Sequence, residues 1–541
     1  MTDHEEHKKR LSEATSEIIK STHSKKIVMA GPGAGKTTGF LRLLEDRKFN
    51  KERCLVFTFL GVLKKDLEQK LESMAKIFTL HGYCNFLLKK FPQLCEGITS
   101  DFFVLPALSE IIKEDWEVLD GSDAPNFNKN FQSSFESAGT KFFINRSNYY
   151  DAVSFDDSVF RVYKAFKTGI SISDSYDLVL VDEAQDFNKL EMDFIKYMSE
   201  NHPILIAGDD DQALYDDFRS ASPLYIRDLW RNGEFEQHKL PYCTRCTEVI
   251  VGAFHDVVNI ATQNNLLKDR IDKNFDYCPP LKEPDSIKYP KIKVVETSVF
   301  KKDLNYFGEY IKREIEKIPE EEIKKSKEDD NPTVLIIAQK PFKGQIEEWM
   351  AKNGFEIEIS KKSDIYPDRE VVLRELSKNP DSNLWWRVII ALDKPSSWKK
   401  AIKESATGGL LRKLLPQDYY EGIILEISKL KDIEKEDPAP KEESGKATIK
   451  ITTFEGAKGL SAYHTFIAGL QNGVLPANPK NITDKDVRKF LVAITRAKKQ
   501  CHLIYTKRPF GSSATPSAFI DWIKSERKDF LYVDKKYLQS L

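Results

Sequence analysis

One stretch near the start constrains the fold of this chain more than any other. It reads Gly31-Pro32-Gly33-Ala34-Gly35-Lys36-Thr37-Thr38 and fits the phosphate-loop pattern G-x-x-x-x-G-K-[ST]. The apolar run Ile27-Val28-Met29-Ala30 before it reads as a short buried strand, and residues 39–44 after it can start a helix. Strand, glycine-rich turn and helix in that order predict an α/β fold built on a parallel, doubly wound sheet. The glycines let backbone N–H groups turn inward on a polyphosphate, and the helix N-terminus adds partial positive charge. Lys36 is placed to reach the β- and γ-phosphates, and the Thr37 hydroxyl can ligate Mg²⁺. The loop names its ligand class and leaves open what hydrolysis would drive.

At 541 residues the chain is too long for one core, so several domains are expected. A hydrophobic fraction of 40% and a charged fraction of 31% are those of a soluble globular protein. The N-terminus lacks the apolar core of a signal peptide, and no apolar run approaches a membrane span, which predicts a cytoplasmic protein. With a net charge of -1 there is no global basic footprint, so a nucleic-acid partner would need positive charge gathered in a groove. Seven cysteines, an odd count, do not make a disulfide framework. Cys243-Thr244-Arg245-Cys246 could be half a zinc site or a redox pair, but no second C-x-x-C exists, and reduced core thiols are the alternative.

Strands and helices go on alternating. Cys54-Leu55-Val56-Phe57 reads as a second strand running into Thr58-Phe59. Residues 63–67 read as a helix, and Ile77-Phe78-Thr79-Leu80 as a third strand running into His81. From about residue 91 to 157 the alternation breaks down into an aromatic and polar stretch, expected to be an inserted subdomain. The sheet resumes with Leu178-Val179-Leu180-Val181, which ends in Asp182-Glu183-Ala184-Gln185-Asp186. An apolar strand delivering Asp-Glu at its carboxyl end is the second half of a phosphate-loop ATPase. Asp182 can hold Mg²⁺, and Glu183 can orient the attacking water or take its proton. A further strand, Ile204-Leu205-Ile206-Ala207, ends in Gly208-Asp209-Asp210-Asp211-Gln212. Gln212 suits the sensing of a γ-phosphate; a solvated acidic turn is the alternative. Apolar runs at 292–295, 334–338, 449–453, 465–468 and 502–505 predict a second α/β domain, and the charge-rich stretches 319–331 and 432–446 read as linkers or exposed loops. Trp385, Trp386 and Trp398 are core packing or, alternatively, a nucleic-acid surface.

The blocks GPGAGKTT, DEAQD and GDDDQALY, in that order, resemble the UvrD/Rep/PcrA branch of superfamily-one DNA helicases. Thr453-Phe454-Glu455-Gly456-Ala457-Lys458-Gly459-Leu460 resembles the family block T-x-H-x-A-K-G-L, and Val492-Ala493-Ile494-Thr495-Arg496-Ala497 resembles V-A-[IL]-T-R-A. The resemblance implies two RecA-like domains in tandem with ATP in the cleft between them. The first spans 1–235 with an insertion at about 91–157. The second spans 236–541 with a reduced accessory insertion at about 380–446. It further implies that Arg245 and Arg496 reach the γ-phosphate from the second domain, with Gly459 at the nucleotide. Thr58, Phe59, Thr79 and His81 would lie on a DNA face, and Tyr215, Phe218 and Arg219 would follow where the family stacks bases; simple packing is the alternative for Phe218, and a buried, satisfied histidine for His81. Asp217 looks like an insertion relative to the family spacing.

Three departures concern the nucleoside. The stretch upstream of the loop carries no Gln, Thr244 stands where the family has Tyr, and Ser461 stands where it has Glu. They imply an intact phosphate site with relaxed or differently built base and ribose selection. The function implied is an ATP-dependent, 3′-to-5′ single-stranded DNA translocase or helicase using Mg²⁺. The rival is an ATPase switch that senses DNA ends or structures and controls a partner nuclease in repair or anti-phage defence. A phosphate-loop kinase or GTPase would explain the first block but not the two late arginine blocks.

Overall fold

The computed structural model describes residues 3–539 apart from 60, 135, 173–174, 216–218, 302–303, 341, 359–364 and 431–445. Short apolar runs build a first sheet from Lys25–Ala30 (β1), Cys54–Thr58 (β2), Lys76–Thr79 (β3), Leu178–Val181 (β4), Ile204–Gly208 (β5) and Glu236–Leu240 (β6). The order is β3-β2-β4-β5-β1-β6, and every neighbouring pair is parallel. Parallel strands share a direction, so the carboxyl ends of β1, β4 and β5 open on one edge of the sheet. That edge receives the phosphate loop, the Asp182-Glu183 pair and the Gln212 turn together.

The last strand corrects the expected domain boundary. Glu236–Leu240 falls beyond residue 235, yet its backbone pairs with Lys26–Ala30 inside the first sheet. It is an edge strand whose side chains are mostly half-buried or exposed, so its sequence carries little hydrophobic signal.

The second sheet is larger. It comprises Ile292–Lys301 (β7), Val334–Ala338 (β8), Ile357–Glu358 (β9), Ile449–Thr452 (β10), Ala462–Ala468 (β11), Ala497–Pro509 (β12) and Lys528–Val533 (β13), with the short Leu304–Asn305 antiparallel to the end of β7. The parallel order is β13-β7-β12-β11-β8-β10-β9. The charged stretch 319–331 is not a linker: Glu320–Glu328 is a helix, and its Glu322 and Ser326 are buried against the sheet domain. Of the other expected linker, 432–446, all but Lys446 lies outside the described residues.

The stretch expected to be an insertion is helical, with Leu108–Leu119, Phe127–Gln132, Ala138–Tyr150 and Phe155–Lys167 around a two-strand ladder of Phe103–Val104 and Ala152–Val153. The accessory segment begins earlier than residue 380, at the helix Arg369–Lys378, whose Val372, Leu373 and Leu376 are buried. It continues through Asn383–Asp393, Trp398–Ser405 and Gln417–Ser428. Although both its ends connect to second-sheet strands, this unit shares one hydrophobic core with the first-domain insertion. Trp386 is fully buried there, Trp385 stands edge-on to Phe103 at 5.3 Å, and Trp398 is half-buried, so the tryptophans are packing groups.

A buried charge cluster ties the two pieces. Arg387 Nε donates to Asp115 Oδ1 (2.9 Å) and its Nη2 to Glu114 Oε2 (2.9 Å), while Arg146 Nε donates to Asp115 Oδ2 (2.8 Å). Removing one member of such a cluster strands buried charge. Arg387→Ala is therefore expected to destabilise this helical body by about 3–5 kcal/mol, read as a fall in its denaturation midpoint. A loss below about 1 kcal/mol, the scale of an exposed pair, would refute this reading.

Candidate nucleotide site between the two sheets

The phosphate loop leaves β1 and enters the helix Lys36–Arg47. Gly33 and Gly35 adopt φ of 67° and 86°, the left-handed region that favours glycine and turns successive N–H groups inward. The loop is also braced from outside. Thr244 donates to the Gly33 carbonyl from both its N–H and its Oγ1 (2.9 Å each), and a Cβ added at Gly33 would come within 2.4 Å of Arg245 Cβ. The segment that leads into the second domain therefore lies directly on the loop.

Asp182 and Glu183 follow β4. Glu183 has φ of 52°, a strained value for a residue with a side chain, and its N–H bonds Asp182 Oδ1 (2.9 Å). Its carboxylate meets Lys36 Nζ at 3.1 Å. Burial favours the neutral acid, but the ammonium groups of Lys36 and Lys458 outweigh it and hold the Glu183 carboxyl down at about 2. Burial likewise disfavours the Lys36 cation, yet Glu183, Asp182 and Asp209 together raise its pKa.

A chain of hydrogen bonds then crosses to the next strand and to the other sheet. Gln185 donates to Glu183 Oε2 (2.6 Å) and accepts from the Asp209 N–H (2.9 Å). Gln212 Nε2 donates to Asp209 Oδ2 (2.7 Å), and Arg496 Nη2, from the start of β12, donates to Gln212 Oε1 (2.7 Å). Lys458 spans the same gap, with Nζ on Asp186 Oδ1 (2.7 Å) and on the Gln212 carbonyl. Burial pushes the Asp186 acid up to about 7 despite Lys458. Arg496 is buried, and burial together with the neighbouring Arg245 charge lowers it to about 9.

These groups line one small cavity of about 100 Å³, which Lys36, Thr37, Asp182, Glu183, Gln212, Gly459, Arg245 and Arg496 all face. It adjoins a cleft of about 1470 Å³ that runs from the phosphate loop to residues 329–331, Ser461 and Lys498 of the second domain. Among the described residues, Arg245 Nη1 is buried without a hydrogen-bond partner. Two mutually repelling guanidinium groups, one orphaned donor and the inward-turned loop make this a built anion site, and a polyphosphate fits it. The Thr37 hydroxyl and the Asp182 carboxylate are the groups that could hold Mg²⁺.

The residues expected on a DNA face have these surroundings. Thr58 is fully buried, and Thr79 Oγ1 caps the helix Leu80–Lys90 by accepting from the Gly82 N–H (3.1 Å). Phe59 is buried against Tyr215 (5.0 Å between rings), with the Arg219 guanidinium 4.8 Å over it. His81 is buried, and its Nε2 lies 3.0 Å from Arg219 Nη2 and 3.3 Å from Glu191. Arg219 pairs with Glu191 at 2.8 Å. Tyr215 donates to the Glu455 carbonyl (3.2 Å), another bond across the domains. Packing and ion pairing therefore occupy these side chains, and Phe218 lies outside the described residues. All seven cysteines are free thiols; Cys243 and Cys246, which flank Arg245, are buried.

Sequence reasoning assigned no role to Lys458, Asp186, Gln185 or Asp209. Lys458 was within reach, since it is the lysine of the A-K-G-L block. The others matter through bonds to residues distant in the chain.

Comparison with known proteins adds the context. A family model described as an AAA domain matches residues 13–217, and one described as the UvrD-like helicase C-terminal domain matches residues 412–508. A probable DNA helicase II homologue of Mycoplasma capricolum is 26% identical over 239 residues, 35% of this chain and 32% of its own length. DNA helicase II of Haemophilus influenzae is 24% identical over 310 residues, 49% of this chain and 42% of its own. The ATP-dependent DNA helicase PcrA of Staphylococcus epidermidis is 21% identical over 249 residues, 38% and 34% respectively. The chain thus spans 32% to 42% of the length of these relatives. An ordered set of motifs converges on one cleft between two parallel sheets, and the AAA-domain match and the UvrD-like helicase C-terminal match fall on either side of it, so the chain is similar to the UvrD-like superfamily-one helicases.

Proposed function

We propose that the protein hydrolyses ATP in the cleft between its two sheets and uses the cycle to move along single-stranded DNA, with 3′-to-5′ polarity by family likeness. The observation that carries this reading is the shared cavity, where Lys36 and Glu183 from one domain face Arg245 and Arg496 from the other. The loop N–H groups and Lys36 bind the phosphates. Thr37 and Asp182 hold Mg²⁺, which when bound would neutralise phosphate charge. Glu183 orients the attacking water, while Arg245, Arg496 and Gln212 contact the γ-phosphate. Contacts made from both domains to one phosphate make domain closure depend on whether that phosphate is still attached.

The second reading, an ATPase switch for a partner nuclease, is favoured by the short accessory unit buried on the first-domain insertion, an arrangement suited to small conformational signals. Both readings predict ATP turnover that rises at least tenfold with single-stranded DNA. Turnover indifferent to DNA would sink both. Displacement of a duplex bearing a 3′ single-stranded tail separates them, since only the translocase produces free strand. Run with ATP, GTP, CTP and dATP, the same assay tests nucleoside selection. Ser461, in place of the family Glu, donates to Asn331 Oδ1 (2.8 Å) instead of offering a carboxylate. A relaxed preference is expected, and strict ATP selectivity would reject it.

A further inference from the structure

Three consecutive carboxylates, Asp209, Asp210 and Asp211, are fully buried at the end of β5. Like charges so close together repel, and burial makes each costly unless paired. Three cations match them. Lys273 Nζ lies 3.0 Å from Asp209, 2.6 Å from Asp210 and 2.7 Å from Asp211. Arg270 pairs with Asp211 at 2.7 Å and Arg227 with Asp210 at 2.8 Å. The cluster is neutral within the protein itself and offers no cation site.

Only one of the six groups touches the nucleotide cavity network. Asp209 accepts from Gln212 Nε2, and Gln212 Oε1 in turn accepts from Arg496. An ionised carboxylate can only accept, so it dictates which end of the Gln212 amide it receives and turns the oxygen toward Arg496. Arg270 and Lys273 share a loop that follows the helix Glu248–Gln263. The same loop donates the Ile271 N–H to Asp210 (2.9 Å), and it ends in Phe275, whose ring a Cβ on Gly31 would meet at 2.6 Å. One loop therefore grips both the Gln212 turn and the first glycine of the phosphate loop.

We propose that this loop is a strap and that Lys273 is its positioning residue. By pinning Asp209 among its neighbours, Lys273 presents the Gln212 oxygen to Arg496 and sets the spacing of the γ-phosphate contacts that the two domains supply. The proposal rests on the reading of Gln212 and Arg496 as γ-phosphate contacts. Lys273 itself reaches no substrate. A loss of register of about 1 Å at such contacts costs on the order of 10²-fold in rate.

The test compares Lys273→Met, Lys273→Arg and the charge-balanced Lys273→Met/Asp211→Asn, which keeps the cluster neutral if the single variant fails to fold. Lys273→Met/Asp211→Asn should lower kcat for ATP by roughly 10- to 100-fold while leaving ATP binding within about threefold, and Lys273→Arg should recover much of the loss. Added to Gln212→Ala it should cost little more, because both act through one amide. Amide hydrogen exchange of residues 209–215, read without turnover, should quicken while that of residues 31–38 does not. Wild-type kcat in the balanced variant, losses that multiply with Gln212→Ala, or unchanged exchange at 209–215 would each overturn the strap. If the wild-type protein itself fails to turn over ATP, the hydrolysis reading falls, and the exchange measurement decides on the strap alone.

Discussion

Glu183→Gln is expected to lower kcat for ATP by about 10²- to 10⁴-fold, the usual worth of a positioned general base, with nucleotide binding retained. The geometry explains why so small a change matters. Lys36 meets this carboxylate at 3.1 Å and, together with Lys458, overrides burial to hold it at about 2, too acidic to take a proton readily. Phosphates entering the loop compete for the same ammonium. Once Lys36 turns to them, Glu183 loses its strongest stabilising charge, and burial pushes its pKa back up toward that of a useful base. On the proposed function, the ion pair would keep the base idle until substrate takes the lysine. Gln keeps the shape and the hydrogen bond from Gln185 but has no basicity to recover. Lys36→Ala should likewise abolish turnover, and the double variant should add little, because the two act as a unit. Steady-state hydrolysis within tenfold of wild type for Glu183→Gln would reject its role.

Arg496→Ala is expected to cost about 10³–10⁵ in kcat, the range for an arginine that stabilises transferring phosphoryl charge. Arg496→Lys should recover little, because an ammonium lacks the planar fork. Arg496→Ala also removes the donors that this buried side chain gives to the Val492 and Leu460 carbonyls and to Gln212 Oε1, so the variant's folding is checked by its denaturation midpoint beside its turnover. A variant with near-normal turnover, or one that loses activity by unfolding, would contradict this account.

The parts of the site that were legible in the sequence are those whose chemistry sits in one contiguous block. The phosphate loop, the Asp182-Glu183 pair, Gln212 and Arg496 each announce themselves by a strand, a helix or a spacing, and they meet at one cavity. What could not be read depends on contacts between distant segments. His81 and Arg219 look like surface groups until Glu191 supplies their counter-charge. Lys273 is one lysine among many until the fold sets it against three carboxylates. The strand Glu236–Leu240 has no apolar alternation because four of its five side chains stay half-buried or exposed at the sheet edge. The helix Glu320–Glu328 reads as a solvated charge run, and only tertiary burial of Glu322 and Ser326 turns it into structure.

The accessory unit 369–428 has a mechanical consequence. Its chain neighbours on both sides are strands of the second sheet, yet its side chains interlock with the first-domain insertion. The two domains are therefore joined like a door fitted with a chain as well as a hinge. One sheet can rock against the other over a short arc, but a wide swing would have to tear Arg387 from Asp115 and Trp385 from Phe103. On the proposed function, such a tether would limit the travel of each cycle and favour many short strokes over a few long ones.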